Sequence, residues 1–204
     1  VTLVLARHGQ TDWNAARRFQ GASDIGLSER GRAQAECLGR AIDGRRLAAV
    51  YVSPLLRARE TAAIAVRQGA IPVIPIDALR ELSLGEWEGR TVDEIRGEEG
   101  DPYLAWLRAP HDFPPPGGEP LDRVAARVRA ALDGIAAAHG GEDEVLVIAH
   151  GGVISVYACD LLGSSFNSLW RLRVDNCSLT VVKPPRLVSI NDTSHLARSL
   201  GDTP

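Results

Sequence analysis

Thr2-Leu3-Val4-Leu5-Ala6-Arg7-His8-Gly9 and Val145-Leu146-Val147-Ile148-Ala149-His150-Gly151-Gly152 share one pattern, an apolar run followed by a histidine and glycine. Short runs of this kind, bounded by polar residues and glycine, read as strands buried on both faces. Ala49 to Val52 is a third such run, and Val73 to Ile76 a fourth, whose neighbouring prolines suit an edge or an end of a sheet. Helical patterns separate them. Ser28 opens one through Ala35, Leu38 and Ile42, and Leu121 to His139 places Val124, Val128, Leu132 and Ile135 on one face. Val153 to Leu162 suggests a helix after the Val145 run, and Leu179 to Val182 and Arg186 to Ile190 read as final strands. Ser53-Pro54 predicts a helix start, with Ser53 as N-cap, Pro54 in the first position and Arg57 in the first turn. Strands alternating with helices imply an α/β fold: a three-layer sandwich, with a mostly parallel central sheet covered by helices on both faces.

The chain has 204 residues, 45% hydrophobic and 24% charged, with a net charge of −3. That is enough for one full core without disulfide or metal staples, so a single domain over residues 1–204 is expected. Residues 81–120 are acidic and broken by Gly and Pro, and read as a helical insertion over the C-terminal strand edge. No run of about 18 apolar residues occurs, which excludes a spanning helix. Val1 to Ala6 is followed at once by Arg7 and His8, unlike a secretory signal, so a cytoplasmic protein is expected. Cys37, Cys159 and Cys177 lack C-x-x-C spacing and read as buried reduced thiols. All but one of the 23 basic residues are arginine, but residues 1–60 hold 10 basic and 6 acidic residues against 5 and 11 in residues 61–120. Without a basic stripe, neither nucleic acid nor membrane is an expected partner.

In an open α/β sheet, ligands bind outside the carboxyl ends of the strands. This rule selects Arg7-His8-Gly9, Ser53 to Arg57, Arg80-Glu81 and His150-Gly151-Gly152. Parallel strands would bring two histidines, two arginines and a glutamate to one edge. Two guanidinium groups suit a tetrahedral oxyanion such as phosphate. One imidazole can attack phosphorus, the other can bind equatorial oxygens, and a carboxylic acid can protonate a departing alkoxide. The set describes metal-free phosphoryl transfer through a phosphohistidine.

Leu5 to Asn14, reading Leu-Ala-Arg-His-Gly-Gln-Thr-Asp-Trp-Asn, resembles the signature of the histidine phosphatase superfamily, the phosphoglycerate mutase-like proteins. The resemblance continues, in family order to about Leu196, through Phe19-Gln20-Gly21, Leu27 to Gly31, Ser53 to Ala58, Leu79-Arg80-Glu81, Gly85 to Gly89 and Ala149 to Gly152. It implies that His8 is the nucleophile and Glu81 the general acid and later base. It also implies that Arg7, Asn14, Arg57 and His150 hold the phosphoryl oxygens, that Gln20 and Gly21 line the pocket, and that the Gly151 N–H adds a donor. Neither metal nor cofactor is implied. Adjacent Arg7 and Arg57 should lower the pKa of His8.

The implied activity is a metal-independent phosphomonoester hydrolase acting on a small phosphorylated metabolite. Phe19-Gln20-Gly21, the length of the segment from Glu81 to Glu119 and the Asn191 to Leu196 tail all resemble the phosphatase branch. A cofactor-dependent phosphoglycerate mutase is the alternative, and a non-catalytic phosphate-binding or regulatory member a weaker one. Oligomeric state stays open, a homodimer included. Gly117-Gly118-Glu119-Pro120 departs from the family pattern, which commonly has Ser after the glutamate, and bears on the leaving-group pocket. That pocket is expected from residues 81–119, with Trp106, Leu107 and Phe113 either lining it or, preferably, forming the insertion's own core. Trp13 and Trp87 read as packing residues, Glu86 and Glu88 as solvated loop charges, His111 and His139 as surface residues, and His195 as structural.

Overall fold

The computed structural model describes residues 1–66 and 71–196. In chain order the elements are β1 (Thr2–Arg7), α1 (Asp12–Ala15), α2 (Glu29–Ile42), β2 (Leu47–Val52), α3 (Leu56–Ala65), β3 (Val73–Pro75), α4 (Val92–Arg96), α5 (Pro102–Arg108), α6 (Leu121–Ala137), β4 (Glu144–Ala149), α7 (Gly151–Leu161), β5 (Leu179–Lys183) and β6 (Arg186–Asp192). The strands form one mixed sheet in the order β3-β2-β4-β1-β5-β6. β1, β4, β2 and β3 run parallel, while β5 and β6 add antiparallel strands on the far side of β1. The short β3 lies at the edge, where its proline removes no ladder bond from the centre.

Alternation along the central strands divides the core in two. Leu3, Leu5, Ala49, Tyr51, Val145 and Val147 face one cluster, with Val124, Val128, Leu132 and Ile135 of α6 and Val153, Ile154 and Tyr157 of α7. Val4, Ala6, Val50, Val52, Leu146 and Ile148 face the other, with Ala35, Leu38 and Ile42 of α2 and Ala58, Ala62 and Ala65 of α3. Both faces are buried, as near-continuous apolar parallel strands require. The segment after β3 joins the first cluster through Leu79, Leu82, Leu84, Trp87, Ile95 and Trp106.

Two local departures from expectation place the site. α7 begins at Gly151 rather than Val153, so its first turn follows directly on His150. α3 begins at Leu56 rather than Pro54, and its N-cap position is Leu55, without a side-chain cap. Ser53 does not cap the helix because its hydroxyl is engaged elsewhere, 2.7 Å from Nε2 of His150. By contrast Ser28 caps α2 as its sequence predicts, accepting from the Gly31 N–H at 3.1 Å.

The loop after β1 is held by a close backbone approach. A Cβ at Gly31 would lie 1.9 Å from the Gln10 carbonyl oxygen, and one at Gly9 would lie 2.4 Å from the Gly31 carbonyl oxygen. Gly9 N–H also donates to Thr61 of α3 at 3.0 Å. The Arg7-to-Thr11 loop is therefore clamped between α2 and α3. Substituting Gly31→Ala should lower the unfolding free energy by about 3 kcal/mol, at the upper end of overpacking costs, because backbone rather than a flexible side chain must move. Urea denaturation measures this, and a loss below about 1 kcal/mol would show that the loop can retreat.

Candidate active site

The parallel register brings the ends of β1 and β4 level, with the end of β2 one residue short of them. Arg7 pairs with Ala149 across β1 and β4, and Val52 pairs with Ile148 across β2 and β4. His8, His150 and Ser53 are each the next residue along. The backbone continues the ladder one step, with His8 N–H donating to Ala149 O and Ser53 N–H to Ile148 O, both at 3.0 Å. The two imidazole centroids lie 5.1 Å apart, and both residues are buried.

His8 is oriented by its own loop. Its Nδ1 lies 2.7 Å from the Gly9 carbonyl oxygen. A carbonyl only accepts, so Nδ1 carries the proton and Nε2 keeps a bare lone pair. The pKa of His8 is held well below the usual histidine value, first by burial and then by Arg57 and Arg7. The sequence anticipates the arginines, but burial outweighs them. His150 is depressed in the same way, by burial and then by Arg57, His8 and Arg7. At neutral pH the site presents a neutral imidazole with a lone pair available for attack.

The arginines supply fixed charge. Arg57, 1% exposed, donates to Ser23 O at 2.7 Å and Gly21 O at 2.8 Å, while Arg7 donates to Val174 O at 2.7 Å. These bonds aim the guanidinium groups and leave Nε of each buried without a partner among the described residues, as is Nδ1 of His150. Buried polar groups are normally paired. Three unpartnered nitrogens in one cluster, two of them cationic donors, mark a place for an acceptor-rich anion.

Glu81 arrives from beyond β3 through a 3-10 turn at Asp77–Leu79. Its carboxylate accepts from the Gly152 N–H at 3.2 Å, in the first turn of α7, and from the Leu82 N–H at 3.1 Å. A Cβ at Gly152 would lie 2.1 Å from Leu82 Cδ2 and 2.6 Å from the Glu81 carboxylate, so a side chain there would displace the carboxylate from its position. Burial raises the Glu81 pKa, against the lowering pull of Arg57, the two backbone donors and Arg7. A carboxyl group that keeps its proton above the ordinary range suits proton donation to a leaving group.

A cavity of about 390 Å³ opens on this cluster. Arg7, His8, Asn14, Gln20, Gly21, Arg57, Glu81 and Gly151 all line it, whereas His150 does not. His150 is fully buried beside His8. Asn14 Oδ1 accepts from Thr11, and Gln20 Oε1 accepts from the Thr11 hydroxyl at 2.9 Å, which turns the acceptor end of each amide to the protein.

The leaving-group side differs from expectation. Trp106 is buried in the core and lines the cavity, so it has both roles between which the sequence left a choice. Leu107 packs against the core, and Phe113 is 57% exposed; neither lines the cavity. The opposite wall is made by Ser155 of α7 and by Trp170, Leu172, Arg173, Val174 and Asp175, a segment without a sequence motif to flag it. Pro120 stands at the N-cap position of α6 without a side-chain cap bond.

Other readings also change. Glu88 is not a solvated charge: its carboxylate accepts from Ala22 N–H, Ser23 Oγ, Ser83 Oγ and Leu84 N–H at 3.0 to 3.1 Å. It ties the loop carrying Gln20 and Gly21 to the segment that carries Glu81. His139 is 13% exposed at its side chain and pairs with Tyr51 Oη at 2.9 Å, so it is not a surface residue, whereas His111 is exposed. Trp87 is buried in the core as expected, and His195 bonds Cys177 O at 3.0 Å. All three cysteines are buried and free. Among the described residues no helix is long and apolar enough to cross a membrane.

The model of the histidine phosphatase superfamily (branch 1) matches residues 3–191. Phosphoserine phosphatase 1 of Hydrogenobacter thermophilus is 32% identical over 200 residues, covering 96% of this chain and 94% of that protein. A probable phosphoglycerate mutase of Erwinia tasmaniensis is 35% identical over 205 residues, covering 96% of this chain and 95% of that protein. Among solved structures, mycobacterial glucosyl-3-phosphoglycerate phosphatase matches with a TM-score of 0.86 at 32% identity, covering 94% of this chain and 99% of that one.

The Glu88 bonds generate a test. Glu88→Ala should cost about 1–3 kcal/mol, since it strands donors that the carboxylate now satisfies. Hydrogen exchange should speed up at Ala22 and Leu84 together. Faster exchange at one segment alone would show that Glu88 does not couple them.

Proposed function

The chain belongs to the histidine phosphatase superfamily and is a phosphoric monoester hydrolase, and from this premise we propose that it hydrolyses small phosphorylated metabolites through a phosphohistidine at His8. The observation that carries the reading is the set of buried, unpartnered nitrogens of Arg7, Arg57 and His150 beside the bare Nε2 of His8. In the first step Nε2 attacks phosphorus and the P–O bond to the leaving group breaks. Glu81 gives its proton to the departing oxygen, and Arg7, Arg57 and His150 hold the charge spread over the phosphoryl oxygens. In the second step Glu81 takes a proton from water, the water oxygen attacks phosphorus, and the P–N bond breaks to free His8. Positive charge comes from guanidinium groups, and among the described residues no three His, Cys, Asp or Glu side chains gather to hold an ion.

Relatives named as phosphatases for phosphoserine and glucosyl-3-phosphoglycerate support an acyclic acid or a sugar derivative as leaving group. The relative named as a probable phosphoglycerate mutase favours a second reading, in which the phosphoryl group returns to a reoriented acid instead of passing to water. Water access separates the two. Arg173 lines the cavity with its side chain 77% exposed, which supports an opening to solvent and hence hydrolysis.

A phosphorus NMR time course of the EDTA-treated protein with 3-phosphoglycerate and a trace of 2,3-bisphosphoglycerate decides between them. Inorganic phosphate should accumulate. Accumulation of 2-phosphoglycerate without phosphate would establish the mutase, and loss of turnover to EDTA would contradict the metal-independent scheme.

Glu81→Gln should slow alkyl phosphates by about 100-fold or more, while p-nitrophenyl phosphate, whose leaving group needs little protonation, loses far less. The raised Glu81 pKa sets the sign of the pH dependence. Turnover of alkyl phosphates falls as pH rises through it and the carboxyl loses its proton, and that alkaline limb should vanish in the variant. Both comparisons are made in kcat/KM, which reports the first step and not the shared hydrolysis of the phosphohistidine, and equal losses there for both substrate types would contradict the general-acid role.

A further inference from the structure

Ser53 is the strand-end residue to which the reaction scheme gives no task, and it is fully buried against His150. We propose that Ser53 is a positioning residue: its hydroxyl donates to Nε2 of His150 and holds that ring in the neutral Nδ1–H form. His150 then serves as an uncharged donor to the phosphoryl group, a role taken from the reading above.

The hydrogen-bond inventory selects this direction. Ser53 Oγ lies 2.7 Å from His150 Nε2 and is approached, at a long 3.4 Å, by the Leu55 N–H. An N–H can only donate, so among the described partners the Ser53 proton has one acceptor, the Nε2 lone pair. With Nε2 accepting, a neutral imidazole must carry its proton on Nδ1. The reverse arrangement would leave the serine proton without an acceptor, and would leave a bare lone pair on the buried, unpartnered Nδ1 that the reading above assigns to the phosphoryl group. Such a lone pair repels phosphoryl oxygen, whereas an N–H binds it. Burial, reinforced by Arg57, His8 and Arg7, keeps His150 from resolving the choice by taking a second proton.

The fold supplies Ser53 for this purpose by register. Val52 is paired with Ile148, and Ser53 N–H donates to Ile148 O, so the serine stands level with the end of β4. His150 is the second residue beyond Ile148. Pro54 follows, and α3 starts only at Leu56, which leaves the hydroxyl out of the helix cap and available to the imidazole.

Long-range proton–nitrogen correlation spectra of the ¹⁵N-histidine-labelled protein distinguish protonated from bare ring nitrogens, and the signals of His150 are identified by their loss in H150Q. The wild type should show His150 protonated at Nδ1 and bare at Nε2. S53A should shift population to the other form and lower kcat about 10- to 100-fold with KM nearly unchanged, the range typical of outer partners of metal-bound histidines. S53T, which keeps the hydroxyl, should restore both. Should S53A fail to fold, the wild-type spectrum alone carries the test, because it reads the protonated ring nitrogen directly. A wild-type ring protonated at Nε2, or an unchanged ring in S53A, would overturn the assignment. A Ser53-dependent ring in a protein without phosphatase turnover would support the assignment and overturn the phosphatase reading instead.

Discussion

Arg7 opposes Ala149 and Val52 opposes Ile148, and this parallel register determines which side chains can meet. β1 and β4 end level and β2 ends one residue short of them, so the residues that follow all leave at the same end of the sheet. Antiparallel pairing of β1 with β4 would send His8 and His150 to opposite ends of the sheet. Parallel pairing needs crossovers, and the crossover helices bury both faces, which is why the central strands read as continuous apolar runs. A site made of buried polar groups therefore sits where the apolar core stops, and its geometry is inherited from backbone hydrogen bonds rather than from loops.

Burial is also the main electrostatic agent. It depresses both histidines and raises Glu81, and in each case it exceeds any single neighbouring charge. The result is one carboxyl biased toward keeping its proton and two imidazoles biased toward losing theirs, the separation that the proposed acid and nucleophile need. The guanidinium groups of Arg7 and Arg57 are aimed by backbone carbonyls and not neutralised by close carboxylate pairs. A low-dielectric pocket with fixed, incompletely neutralised donors is organised in advance for an anion, so little reorganisation is left for the reaction itself.

What the sequence made legible follows from period and position. The strand runs, the capped α2 and the edge position of β3 all have local signals, and the structure has each of them. The family resemblance carried the chemistry, because Arg7-His8-Gly9, Ser53 to Arg57, Glu81 and His150-Gly151-Gly152 lie at strand ends that meet only in the folded chain. Long-range choices were illegible. Ser53-Pro54 has the local form of a helix start, and nothing local reveals that His150, 97 residues away, claims the hydroxyl. Glu88 resembles a solvated charge until the Ala22 and Leu84 amides are brought to it. The wall from Trp170 to Asp175 has neither period nor motif, and it is placed over the cavity by long-range contacts, the packing of the 3-10 segment Phe166–Arg171 against α7 and α5 and the Arg7 bond to Val174 O.

In the proposed scheme His8 Nε2 is the atom that carries the phosphoryl group between substrate and water. Rapid quenching of the enzyme during turnover, followed by peptide mapping under alkaline conditions that preserve phosphohistidine, tests this directly. A phosphoryl group on the peptide containing His8, formed within the first turnover and lost on acid treatment, is the predicted result. Full turnover by H8A, or a phosphoryl group trapped on any other residue, would contradict the account.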